Sequence, residues 1–242
     1  MMIGVSMDPR HLFMDERLTG MCVYCGAKPE TRDHVPSKVL LDKPYPEDLP
    51  VVGACKECNE NFSLDEQYVA CFLECVRCGT VEPSGLQRPK IKRILTENPK
   101  LKDRIGACQR KDDAGNLLWY PEIDRLRKIV LKLARGHLAY GIYPEFKDPV
   151  EVAFAPLSNL SDEERVAFED VPFRKVDVVP EIGSRGFLHV FVVESSGEKS
   201  VAYVDHWIVV QPGQYRYVVI VKGGILVKLV LGEYLACTVS WE

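Results

Sequence analysis

Long apolar runs, a surplus of positive charge, glycine-rich phosphate loops and internal repeats are all missing from this chain of 242 residues. Its most hydrophobic stretches, residues 150–157 and 217–232, are short or are broken by Lys222, Gly223, Gly224 and Lys228. None approaches the ~20 apolar residues of a membrane-crossing helix, so no membrane partner is expected. The opening residues MMIGVSMDPR offer neither a basic leader nor a sustained apolar core, and a cytoplasmic location is the expectation. Lysine and arginine number 31 against 35 aspartates and glutamates, a formal charge of −4, which excludes a protein that coats nucleic acid by bulk attraction. Any phosphate contact must be local. The missing phosphate loop removes one class of nucleotide chemistry, and the missing nucleophile elbow removes the usual serine hydrolases.

What is present is the balance of an ordinary globular protein, 46% hydrophobic and 27% charged, long enough for two units. Basic side chains cluster at Arg88, Lys90, Lys92 and Arg93, at Lys100, Lys102 and Arg104, and at Arg125, Arg127, Lys128, Lys132 and Arg135. Each cluster is either a set of phosphate contacts or a solvated helix face. Nine cysteines, an odd number with pairs at CxxC spacing, point to metal ligation before disulfides.

The pattern predicts an α+β fold in three parts. Residues 1–80 form a cysteine-rich module, 81–146 a helical linker, and 147–242 a β-rich domain whose role is partner binding, dimerisation or substrate positioning. Residues 21–62 are dense in Cys, Pro and Gly and need a staple to hold a shape. A helix starting near Cys55 or Asn59 carries Leu64, Tyr68, Ala70, Cys71, Phe72 and Cys75 close to helical spacing. A basic helix over 90–107 breaks near Pro99, DDAGN at 112–116 is a hairpin turn, and Pro121 opens the strongest helix. That helix carries Ile123, Leu126, Ile129, Val130, Leu133 and Leu138 on one face and is expected to pack both parts together. Strands are predicted at 150–157, 187–194, 201–210, 215–222, 225–232 and 234–241, with a short helix at 161–168, giving an antiparallel sheet. Asp162, Glu163 and Glu164 after Ser161 are a helix start. Cys75-Val-Arg-Cys78 is a third CxxC whose one nearby further partner is Cys108, so Cys71, Cys75 and Cys78 are expected as buried helix cysteines and Cys237 in the core, with His137, His189 and His206 as packed or surface histidines. Tyr215, Arg216 and Tyr217 fit either a nucleic-acid-binding sheet or a half-buried strand.

Chemistry concentrates near the N-terminus. Cys22-Val-Tyr-Cys25 and Cys55-Lys-Glu-Cys58 are two knuckles able to present four thiolates to one tetrahedral Zn²⁺. Between them stands Arg32-Asp33-His34-Val35-Pro36, and Asn59 follows Cys58 directly. In the joint order CxxC, DHxxP, CxxCN, over about residues 20 to 75, the chain resembles the HNH endonucleases.

The resemblance implies a ββα-metal module, a β-hairpin followed by a helix, that hydrolyses phosphodiester bonds. It implies His34 as the general base that takes a proton from water, a task for a group titrating near neutrality. Asp33 and Asn59 would hold a catalytic Mg²⁺ or Mn²⁺, with Cys22, Cys25, Cys55 and Cys58 on structural zinc. Where the family has an Asn that orients the base, this chain has Glu47-Asp48-Leu49, so Asp48 is the candidate for that role. Where many members carry a further His, this chain has Ser63, and Glu66 could reach the metal instead or simply favour the helix N-terminus. Arg32 and Lys38 are the candidate nucleic-acid contacts. The implied partner is double-stranded DNA, with RNA left open, and a double-strand cut by a single-site enzyme favours a homodimer. By analogy the biological role is restriction or phage defence. The rival reading is a catalytically silent zinc module that binds nucleic acid or a protein. A redox role for the CxxC pairs lacks the βαβ context it would need.

Overall fold

In the computed structural model, residues 20–171, 173–175, 190–195, 197–204, 206–221 and 223–242 are described. The polar lead-in before residue 20, Lys222 and residues 187–189 of the strand expected at 187–194, His189 among them, lie outside them; the rest of that strand is present.

The cysteine-rich segment forms a hairpin, β1 (Thr31–His34) against β2 (Val51–Ala54), with Asp33 opposite Val52 and His34 opposite Val51. The chain then enters α1 (Lys56–Cys78), capped at its start by the Cys55 sulfur, which accepts the Cys58 N–H at 3.3 Å. Gly79 in the left-handed conformation ends it. Asn98 separates α2 (Pro89–Glu97) from α3 (Pro99–Gly106): Pro99 cannot continue the preceding helix, and the Asn98 side chain caps the next one through the Leu101 N–H. The turn at DDAGN joins β3 (Gln109–Lys111) to β4 (Leu117–Trp119), with the Asp112 carboxylate accepting the Ala114 and Asn116 N–H groups.

Helix α4 (Ile123–Gly141) buries Leu126, Ile129, Val130, Leu133 and Leu138, as the periodicity requires, but Ile123, expected on the same face, is 52% exposed because it is the first residue of the helix. One contiguous core joins it to Leu40, to Tyr68–Cys75 of α1 and to the C-terminal sheet as far as Trp241. At its other end α4 passes so close to the hairpin that a Cβ on Gly136 would lie 2.8 Å from Val35 Cγ2. Glycine is what lets the helix lie beside the residue that follows His34.

The sheet is antiparallel in the order β5 (Glu151–Pro156), β12 (Leu235–Trp241), β11 (Ile225–Leu231), β10 (Tyr215–Val221), β9 (Ile208–Gln211). A smaller sheet holds β6 (Phe173–Lys175), β8 (Glu198–Val204) and β7 (Val190–Ser195), in that order. Strand β11 is buried on both faces because α5 (Asp162–Glu169) covers the side away from α1 and α4. Ser161 and Glu164 form a reciprocal capping box at the start of α5. At its end Lys228 donates to the carbonyls of Ala167, Phe168 and Asp170. Arg216 clasps Glu169 with two hydrogen bonds of 2.7 Å, while Tyr215 and Tyr217 are buried on the opposite face. Of the two readings of these three residues, the half-buried strand is the one their packing follows.

His137 is fully buried, stacked 3.5 Å from the Tyr217 ring and hydrogen-bonded to Tyr215 Oη at 2.8 Å. Burial drives its pKa well below the ordinary histidine value, with the Lys132 charge acting in the same sense. The folded protein keeps this ring neutral, whereas the unfolded chain protonates it near pH ~6.5. The unfolded state therefore binds more protons below that point, and stability present above it is lost as pH falls. His137→Gln is expected to remove up to ~1.4 kcal/mol per pH unit from the slope of stability between about pH 6.5 and 5. Urea unfolding of both proteins across that range checks this, and equal slopes would refute it.

Candidate metal and hydrolytic site

The first knuckle is a tight turn in which Gly26, at a φ of 76°, returns its N–H to the Cys22 carbonyl at 2.8 Å. It is pinned to the hairpin by Val23 N–H to Gly53 carbonyl at 3.0 Å. The second knuckle is the first turn of α1, whose partial positive charge favours thiolates. These two local structures bring the sulfurs of Cys22, Cys25, Cys55 and Cys58 within 4.8 Å of one another, and Cys25 and Cys55 to 3.7 Å. Four thiolates at Zn–S distances of ~2.3 Å in a tetrahedron would stand ~3.8 Å apart, so the set fits a zinc ion. Without a metal the four cannot ionise alike. Burial and the neighbouring sulfurs push Cys58 up, while Cys22, against its burial, is drawn down by the backbone N–H groups of Cys55, Tyr24 and Cys25.

Asp33 turns inward and is 8% exposed. Its Oδ2 accepts the Tyr24 hydroxyl at 2.7 Å and lies 2.7 Å from Lys132 Nζ. Lys132 reaches in from α4 with its side chain 1% exposed, and also donates to Glu66 Oε1 and, at 2.7 Å, to Ser37 Oγ. Ser37 in turn donates to Glu66. A buried ammonium is tolerable only with such partners. Two carboxylates facing one ammonium leave the cluster one negative charge in excess. Two carboxylate oxygens and a hydroxyl thus converge on a single cation, the Lys132 ammonium.

His34 is half-buried at the end of β1, and its Nδ1 is enclosed with no hydrogen-bond partner. Burial lowers its pKa from the usual value, the Lys38 charge adds to this, Asp33 opposes it, and Lys132 contributes least. The ring is therefore neutral at neutral pH, the form a general base requires. Because Nδ1 lacks a partner, Asp48 does not orient the imidazole here. Asp48 is exposed in the loop before the buried Leu49, where a carboxylate keeps its hydration.

Asn59 is one turn into α1 and donates its amide to Thr31 Oγ1 at 3.2 Å. Thr31 shares a strand face with Asp33, yet Asn59 stands outside the Asp33–Lys132–Glu66 cluster. Glu66, two turns further along α1, is the helix residue brought to Asp33. Ser63, Arg32 and Lys38 are exposed. Among the described residues, the four cysteines are the one group of three or more His, Cys, Asp or Glu side chains spaced to hold a metal.

Tyr24, Ser37 and Lys132 did not emerge from the sequence as members of this site. For Lys132 there was a signal. It falls between Ile129 and Leu133 on the apolar face of α4, where a charge needs a buried partner.

The chain matches no family model, no curated protein and no solved structure. No helix among the described residues is long and apolar enough to cross a membrane.

Proposed function

We propose that this protein is a metal-dependent endonuclease of the HNH type, with zinc on Cys22, Cys25, Cys55 and Cys58 holding the hairpin to the helix. What carries the reading is a neutral, half-buried His34 adjoining Asp33, whose carboxylate converges with Glu66 on one cation position. In this reading His34 takes the proton of the attacking water through Nε2, since Nδ1 is enclosed. Asp33 is the first ligand of the catalytic Mg²⁺ or Mn²⁺. Glu66 takes the place beside it, and Asn59 is the further ligand that the family resemblance suggests. When bound, such an ion stabilises negative charge on the scissile phosphate and the leaving oxygen. Arg32 and Lys38 lie on the exposed side, where the nucleic acid approaches, and double-stranded DNA is the substrate to test first.

The test is nicking of supercoiled plasmid with Mg²⁺ or Mn²⁺ by the wild type and by His34→Ala, with zinc content measured on both. Cleavage is expected to fall by a factor of ~10²–10⁴ in the variant at equal zinc. If both proteins hold zinc and neither cuts DNA or RNA, the silent zinc module becomes the reading. A satisfied Asp33–Lys132 pair is the observation in favour of that outcome.

A further inference from the structure

A second feature lies on the far side of Lys38. The loop that follows the short helix Lys38–Leu40 and the first turns of α2 enclose a cleft of about 560 Å³, lined by Asp42, Lys43, Tyr45, Pro89, Lys90 and Arg93. The one acid among its described lining residues, Asp42, is already matched: the buried Arg88 donates Nε to its carboxylate at 2.8 Å and a second nitrogen to the Val39 carbonyl at 3.1 Å. Lys43, Lys90 and Arg93 are left facing the cleft, a concentrated positive spot on a chain whose net charge is −4.

The cleft is also held in shape. Gln211 of β9 bonds both the N–H and the carbonyl of Asp42, at 2.8 and 2.9 Å, and so ties the loop to the sheet. Lys90 Nζ donates to the Lys38 carbonyl at 2.8 Å and to Tyr45 Oη at 3.1 Å. An ammonium has three donors, so this one is positioned by two and keeps a third for a ligand. Lys38 and Lys90 both stand near the Tyr45 ring, 5.6 and 5.4 Å from its centre. Fixing cations before a ligand arrives reduces the entropy lost on binding. Lys38 links the cleft to the hydrolytic site: it is four residues beyond His34, and its charge is felt by that ring.

We infer that this cleft binds the phosphodiester backbone of the nucleic-acid strand flanking the one that His34 attacks, with Lys43, Lys90 and Arg93 on successive phosphates and Tyr45 against the sugar or base. This rests on the nuclease reading and adds to it where the strand runs. Cations fixed in a cleft supply the local, salt-sensitive affinity that the acidic chain as a whole cannot.

The test is fluorescence anisotropy of a labelled 16-mer duplex DNA, repeated with the single strand and the matching RNA, without added Mg²⁺ or Mn²⁺ and across a salt series. The proteins are the wild type, His34→Ala, Lys90→Ala/Arg93→Ala, the charge-keeping Lys90→Arg/Arg93→Lys, and Lys100→Ala/Lys111→Ala as a charge-matched control outside the cleft. Zinc content and melting temperature establish folding for each. Lys90→Ala/Arg93→Ala is expected to weaken binding at least tenfold and to lower the slope of log affinity against log salt by ~2. The charge-keeping variant, the control pair and His34→Ala should stay within about threefold of the wild type. Wild-type binding that Lys90→Ala/Arg93→Ala leaves unchanged overturns the cleft and spares the nuclease reading. A wild type that binds none of the three probes and cuts nothing overturns both.

Discussion

Cys55→Ser is expected to abolish zinc binding and to release the hairpin from the rest of the protein. Strands β1 and β2 are four residues each and pair only with one another, a unit that is marginal in water by itself. The buried cluster beneath them is small: Cys22, Val23, Tyr24, Val35, Val52, Ala54, Cys55 and Ala139, two of which are the ligands themselves. Structural zinc in small modules supplies an apparent ~10–16 kcal/mol of folding free energy, far more than this cluster could replace. Serine at position 55 can still accept the Cys58 N–H and cap α1, so the loss isolates the metal ligand. The main core lies elsewhere, in α1, α4 and the C-terminal sheet, so the loss should be local. Zinc assay, far-UV circular dichroism and limited proteolysis would check this. The expected result is no bound zinc, new cleavage within residues 20–62, and most helix and sheet signal retained. Full zinc content with unchanged proteolysis would refute the assignment.

Elements whose causes are local could be read from the sequence. The break at Pro99, the turn at DDAGN, the capping box at Ser161 and the apolar face of α4 each depend on residues within a few positions of one another, and each is in the structure where expected. The four-cysteine group was legible for the same reason, since CxxC spacing itself prepares two ligands and only one long-range meeting had to be guessed. What could not be read was which polar groups meet across the fold. Lys132 finds Ser37 and Asp33 from some hundred positions away, and Arg216 finds Glu169 across the sheet. Periodicity says which face of an element is buried, never what it is buried against. Glu66 illustrates the same limit. At the sequence level it was a helix-start charge or a metal ligand, and only the packing of α1 against β1 and α4 brings it to Asp33 through their shared ammonium.

That shared ammonium makes Lys132→Met the most informative change in the core. Methionine fills similar volume but leaves the carboxylates of Asp33 and Glu66 close together with no cation between them. Removing one partner of a buried ion pair typically costs ~3–5 kcal/mol, because the remaining charge is left uncompensated. The Tyr24 hydroxyl and Ser37 remain as hydrogen-bond donors and offset part of this. If the position is one that accepts a hard cation, the variant should recover stability when a divalent ion takes the place of the ammonium. Thermal melts of Lys132→Met are therefore expected to lie well below the wild type in metal-free buffer and to rise steeply with millimolar Mn²⁺, while the wild type shifts little. A variant that melts low and ignores Mn²⁺ would mean that Asp33 and Glu66 form a structural ion-pair cluster only, and the proposed catalytic metal would lose its site there. A variant as stable as the wild type would mean that the buried pair contributes nothing net to the fold.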